Sequence, residues 1–68
     1  METRKQIITA LEMVKEDIIA LISAKEQAIY NLTTCEEGEI KFYQTRLKRI
    51  QKNYLQARKE QKNLQAQL

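Results

Sequence analysis

The chain has 68 residues, enough for one domain but near the size at which a single core seldom stabilises a fold without a disulfide, a metal or self-association. It has one cysteine, Cys35, and no histidine, which excludes an internal disulfide and a His/Cys zinc site. The net charge of +3 divides into an acidic half up to Gly38 and a basic half from Glu39 onward.

The first predicted element is a long amphipathic helix over about residues 3–32. The chain has no proline and one glycine and is rich in residues that favour helices, so an all-α fold is expected. Thr3 followed by Gln6 is a capping-box pattern that would begin this helix. Apolar residues then recur at three-four spacing, interrupted at Lys25. The repeat consists of Ile7, Leu11, Val14, Ile18, Leu21, Ala28, Leu32 and Cys35.

A chain reversal is predicted within residues 31–38. Asn31 can adopt the left-handed conformation that ends a helix. Thr34 and Glu37 form a second capping-box pattern, which places the second helix over about residues 35–67. Gly38 is an alternative point of reversal.

The second helix has an uninterrupted heptad repeat, so residues 1–68 are expected to form one antiparallel, coiled-coil-like hairpin domain. With a turn centred near Thr34, Ile50 faces Ile18 and Lys25 faces Tyr43. A turn at Gly38 shifts the pairing by one heptad and also matches apolar residues with one another. The predicted hairpin seam contains Leu11, Val14, Ile18, Leu21, Leu47, Ile50 and Tyr54.

The first helix is apolar on more sides than one neighbouring helix can cover, and residues 18–22 are apolar all round. We therefore expect dimerisation into a four-helix bundle. In architecture alone, this plan resembles the Rop-type RNA-binding helical hairpins, and the resemblance assigns no role to any residue here. The predicted self-association residues are Met13, Ile19, Ala20 and Ala24.

No catalytic, cofactor-binding or metal-binding residue is predicted. Cys35 has no histidine to activate it, and the acidic clusters at residues 12–17 and 36–39 are typical of a solvated face and a helix start. The longest apolar run, residues 18–22, is far shorter than the roughly 20 residues that cross a bilayer. A soluble, cytoplasmic, non-enzymatic protein without a cofactor or a membrane partner is therefore expected.

The leading hypothesis for function is an adaptor, regulator or inhibitor that binds another protein, for which Phe42 and Leu55 are candidate contacts. One alternative is a nucleic-acid-binding hairpin dimer, and another is a subunit of a hetero-oligomeric helical complex. The second helix carries a basic outer face that would contact an anionic partner, although such faces are also the norm in solvated coiled-coil hairpins. This basic face consists of Lys41, Lys48, Arg49, Lys52, Lys59 and Lys62.

Overall fold

The computed structural model describes residues 3–68, which form two long helices, α1 (Arg4–Thr34) and α2 (Ile40–Ala66). A single 3-10 turn, Glu37–Glu39, lies in the link between them. The helices pack against each other, and the molecule is a rod of 51 × 14 × 12 Å. The expectation of an all-α helical hairpin is confirmed.

The capping box at the start of α1 is present as predicted. The main-chain N–H of Thr3 donates to Oε1 of Gln6 at 2.8 Å, and the main-chain N–H of Gln6 donates to Oγ1 of Thr3 at 3.3 Å. The first turn of a helix has N–H groups without partners inside the helix, and this pair supplies two side-chain acceptors there. The cap therefore defines where α1 begins.

The end of α1 differs from the prediction, because Asn31 does not stop the helix. Its carbonyl oxygen instead accepts a hydrogen bond from the N–H of Cys35 at 2.8 Å, so α1 continues to Thr34. The Thr34 hydroxyl does not cap the second helix either, since it donates to the carbonyl oxygen of Tyr30 at 2.9 Å. Threonine hydroxyls bond readily to a carbonyl four residues earlier, and that local bond is made here.

The chain reverses without a left-handed residue. Cys35 and Glu36 are extended, with φ/ψ of −75°/164° and −73°/156°, and the 3-10 turn follows them. Within residues 3–68 no non-glycine residue has a positive φ, and Gly38 has none either. The proposed left-handed stop at Asn31 is therefore wrong, and the bend comes from two extended residues before a tight turn.

This link delays the start of α2 to Ile40 and shifts the helix pairing by one heptad relative to a turn near Thr34. Leu21 lines a surface cleft together with Ala57, and Ala24 lines another together with Ile50. The midpoints of these two pairs, residues 39 and 37, place the centre of the reversal beyond Thr34. The pairing is thus the one that a turn near Gly38 favours, and a heptad shift preserves the match between the apolar seams.

The same shift changes the surroundings of Lys25. A turn near Thr34 would place Lys25 opposite Tyr43, whereas the half-buried Lys25 shares a cleft with Tyr54, Ile22 and Ile29. The pairing of Lys25 with Tyr43 is therefore wrong.

The core is one row of side chains along the seam, because each helix has one neighbour. Within residues 3–68, the buried hydrophobic residues are Ile7, Val14, Ile18, Ala28 and Ile50. The predicted seam residues Leu11, Leu21, Leu47 and Tyr54 are half-buried. No helix in this part of the chain has the length and apolar character that crossing a membrane requires.

Candidate functional site

The hairpin exposes more surface than a compact monomer of its mass. Its accessible area is 5827 Å², whereas a compact protein of 8.1 kDa exposes about 4,500 Å². The difference, about 1,300 Å², exceeds the roughly 800 Å² that each partner contributes to a standard protein interface. The excess exposed area of the hairpin is therefore large enough for a stable interface.

A row of exposed isoleucines lies beside the seam on α1 and is here called the isoleucine face. Ile8, Ile22 and Ile29 are separated by multiples of seven residues, and Ile19 lies one turn before Ile22, so all four share one side of the helix. Their exposed fractions are 41%, 42%, 42% and 59% respectively. The stripe extends over about 30 Å of helix length.

Charged residues occupy the gaps in the isoleucine face. Glu12, Lys15 and Glu26 continue its three-four spacing, and all three are exposed. Ile19 and Ile22 form the centre of the stripe, with Lys15 one turn before them and Glu26 one turn after them. The face is therefore apolar at its centre and charged, with opposite signs, on either side.

The predicted self-association residues do not form one patch. Ile19 belongs to the isoleucine face, whereas Ala24 is half-buried on the opposite flank of α1, where it lines a groove with α2. Ala20 lines a cleft on that same flank, and Met13, one heptad before Ala20, is 63% exposed. The prediction of self-association residues missed Ile8, Ile22 and Ile29, and the signal that identifies the isoleucine face is the seven-residue repeat from Ile8 through Ile22 to Ile29.

A groove centred on Phe42 lies on the Ala24 flank and is here called the Phe42 groove. The Phe42 side chain is 63% exposed and packs edge-on against Tyr43, with ring centroids 5.2 Å apart. The groove has a volume of about 630 Å³, and an aromatic ring beside several cations suits an apolar side chain flanked by carboxylates. It is lined by Ala24, Lys41, Phe42, Thr45, Arg46, Arg49, Ile50 and Asn53.

The basic face lies along α2, and each of its six predicted residues is exposed. Lys41 and Arg49 also line the Phe42 groove, together with Arg46, which the sequence prediction did not include. Lys59 and Lys62 line a second cleft, of about 480 Å³, with Arg58. The cations therefore extend from one end of α2 almost to the other.

Outside these surfaces, the described residues contain few side chains that could act as a nucleophile or bind a metal. Cys35 is half-buried at the end of α1, and its thiol donates to the carbonyl oxygen of Leu32 at 3.5 Å. Within residues 3–68, no three His, Cys, Asp or Glu side chains are grouped so that they could hold a metal ion. The candidate functional sites are thus surfaces of the hairpin.

Comparisons of the chain with models of protein families, with curated proteins and with solved structures found no match.

Proposed function

We propose that this protein is a non-enzymatic interaction protein that forms a homodimer and acts as an adaptor, regulator or inhibitor by binding another protein. The isoleucine face carries the proposal. Each Å² of apolar surface in water costs about 25 cal/mol, and four isoleucines are exposed on this one side of α1, with Ile19 and Ile22 adjacent at its centre. A second copy that covers the stripe would remove this cost and complete a four-helix bundle.

Ile19 is the centre of the proposed dimer interface. Ala24 lines the Phe42 groove, and Met13 and Ala20 lie on the same flank of α1, so we assign these three residues to the surface that meets a protein partner. A reducing compartment such as the cytoplasm suits the unpaired Cys35.

The oligomeric state tests the proposal directly. Sedimentation of the full chain at tens of micromolar should give a dimer, and Ile19→Glu should give a monomer because the substitution buries a charge in the interface. Phe42→Glu is the matched control, since Phe42 is 63% exposed and lines the groove on the opposite flank with Ala24. A wild-type chain that sediments as a stable monomer would overturn the proposal.

The Phe42 groove supports a role in binding an acidic segment of another protein. Capture of partners from the native host should lose the specific partner when Phe42→Ala is combined with Arg46→Glu, because these changes remove an apolar contact and reverse a charge. Gln51→Ala, at an exposed position of α2 that does not line the groove, should retain the partner. Equal recovery with both variants would exclude the groove as the binding site.

Nucleic-acid binding is the second candidate, and the exposure of all six residues of the basic face along α2 is the observation that favours it. Contacts to phosphates release counterions, so such binding must weaken steeply as salt rises. A hetero-oligomeric helical complex is the third candidate, in which a different chain would cover the isoleucine face. In that case the purified chain should aggregate or remain partly unfolded.

A further inference from the structure

The isoleucine face carries a charge pattern that complements its own antiparallel copy. Ile19 and Ile22 are at its centre, Lys15 lies four residues before Ile19, and Glu26 lies four residues after Ile22. Reversing the direction of the helix exchanges the positions of Lys15 and Glu26. Two copies of α1 can therefore meet with opposite charges opposed on both sides of the centre.

We infer that two chains dock α1 against α1 in antiparallel orientation, around a two-fold axis between Ala20 and Leu21, so that Lys15 of each chain pairs with Glu26 of the other. This inference rests on the proposed homodimer and assigns its geometry. Residues at equal distances from the axis face each other, which brings Ile19 of one chain against Ile22 of the other. The interface is isologous, as two-fold symmetry requires.

Other arrangements of the same face are less favourable. A parallel pair would oppose Lys15 to Lys15 and Glu26 to Glu26, which places like charges together. An antiparallel pair shifted by one heptad in one direction would press Lys15 against Ile19, and the opposite shift would press Glu26 against Ile22. Both shifts place a charge at the apolar centre, where desolvation is costly. The proposed register keeps Ile19 and Ile22 at the centre and moves the one charge that opposes an isoleucine, Glu12 against Ile29, to the ends of the face.

A cleft next to Ile22 provides room for the Lys15 side chain of the other copy. The cleft has a volume of about 250 Å³ and is lined by Ile22, Lys25, Glu26, Ile29 and Tyr54. The Glu26 carboxylate and the Tyr54 hydroxyl are both acceptors for an ammonium group. In the proposed register, Glu12 of the other chain comes within one helical turn of Lys25. Lys25, which lines the cleft beside the incoming Lys15, therefore also has an acidic neighbour.

Single charge-reversing substitutions at Lys15 and Glu26, made in the whole 68-residue chain, test this geometry. In sedimentation equilibrium at low salt, where surface charges are least screened, Lys15→Glu and Glu26→Lys should each raise the dimer dissociation constant about tenfold or more. The double variant restores opposite charges and should return the constant to within about threefold of the wild type. Asp17→Lys is the control and should leave dimerisation unchanged, because Asp17 is exposed on the opposite flank of α1, where it lines a cleft with Ala20.

Cross-linking gives a second measurement that does not depend on variants. Lys15 and Glu26 of one chain are about 16 Å apart along α1, too far for a zero-length carbodiimide link, so such a link must join two chains. We expect the linked Lys15–Glu26 peptide in the dimer band. A monomeric wild type would overturn the homodimer itself. A dimer that lacks this link, or one that the single reversals do not weaken, would overturn the antiparallel register alone.

Discussion

The two helices share a seam but differ in what surrounds it. Of the five buried hydrophobic residues within residues 3–68, four lie on α1 and one, Ile50, lies on α2. Beyond the seam, α1 exposes a second stripe of isoleucines, whereas α2 exposes mostly lysine, arginine and glutamine. A helix with one apolar stripe can bury that stripe against one neighbouring helix, whereas a helix with two such stripes needs a second neighbour to bury both. The comparison favours α1 as the surface for the proposed dimer and α2 as the surface that contacts solvent or an anion.

The largest expected effect concerns the seam, where α2 contributes its one buried residue. Ile50→Ala removes buried methyl groups and leaves a cavity against α1, so it should lower the free energy of unfolding by about 2–5 kcal/mol. Leu47→Ala and Tyr54→Ala, at half-buried positions, should cost less than Ile50→Ala. Urea or thermal unfolding followed by circular dichroism measures these differences.

Leu55→Ala is the control for the seam, because Leu55 is exposed on the same helix and should change the free energy of unfolding by no more than about 0.5 kcal/mol. Equal effects of Ile50→Ala and Leu55→Ala would mean that α2 does not pack through its heptad face.

The helix starts provide a smaller test of the same comparison. α1 begins with the Thr3–Gln6 capping box, whereas α2 begins at Ile40, and the residue before it, Glu39, makes no side-chain capping bond. Thr3→Ala should therefore lower the free energy of unfolding by about 1 kcal/mol. Glu39→Ala should cost about 0.3 kcal/mol, since its carboxylate acts through the helix dipole. Chemical denaturation of both variants would detect the difference, and a larger loss at Glu39 would contradict it.

The link between the helices offers a gain in stability. Gly38 has no positive φ, and a Cβ added to it would meet no atom within 4 Å. Gly38→Ala should therefore raise the free energy of unfolding by about 0.4–1 kcal/mol, because it reduces the conformational freedom of the unfolded chain. A measured loss of stability would show that the link requires the freedom of glycine.

The sequence was sufficient to predict the helices and the cap of α1, since three-four spacing and the Thr3–Gln6 pattern act locally. The register was not decided, because a heptad repeat matches itself after a shift of seven residues. The helix stop at Asn31 and the cap at Thr34 were wrong because Asn31 tolerates the left-handed conformation but does not require it, and because the Thr34 hydroxyl had an acceptor within its own helix.

The candidate surfaces were predictable to different degrees. The isoleucine face is a local repeat on one helix, so its phase can be read from the sequence. The Phe42 groove combines Ala24 of α1 with Arg46 and Asn53 of α2, and these residues become neighbours through the observed register. A site that spans two helices therefore could not be assigned before the register was known.

The smallest expected effect on stability belongs to the basic face. Substitutions there test whether α2 binds anions or only forms a hydrated surface of the hairpin. Changing Lys48, Arg49, Lys52 and Lys59 to glutamine should alter the free energy of unfolding by no more than about 0.5 kcal/mol per residue, since all four are exposed. If α2 follows a phosphate backbone, the wild type should bind DNA or RNA with a steep salt dependence. Each lost contact would then reduce the slope of log K against log salt by about 0.7–0.9.

We expect instead that neither the wild type nor the quadruple variant binds nucleic acid at about 150 mM salt, near physiological ionic strength. The Tyr43 and Tyr54 rings are half-buried in the seam, and the exposed Phe42 is a single ring rather than a series on which successive bases could stack. A fluorescence-anisotropy titration with duplex and single-stranded probes measures this. Tight binding by the wild type that the quadruple variant loses would make the basic face of α2, rather than the isoleucine face of α1, the principal functional surface.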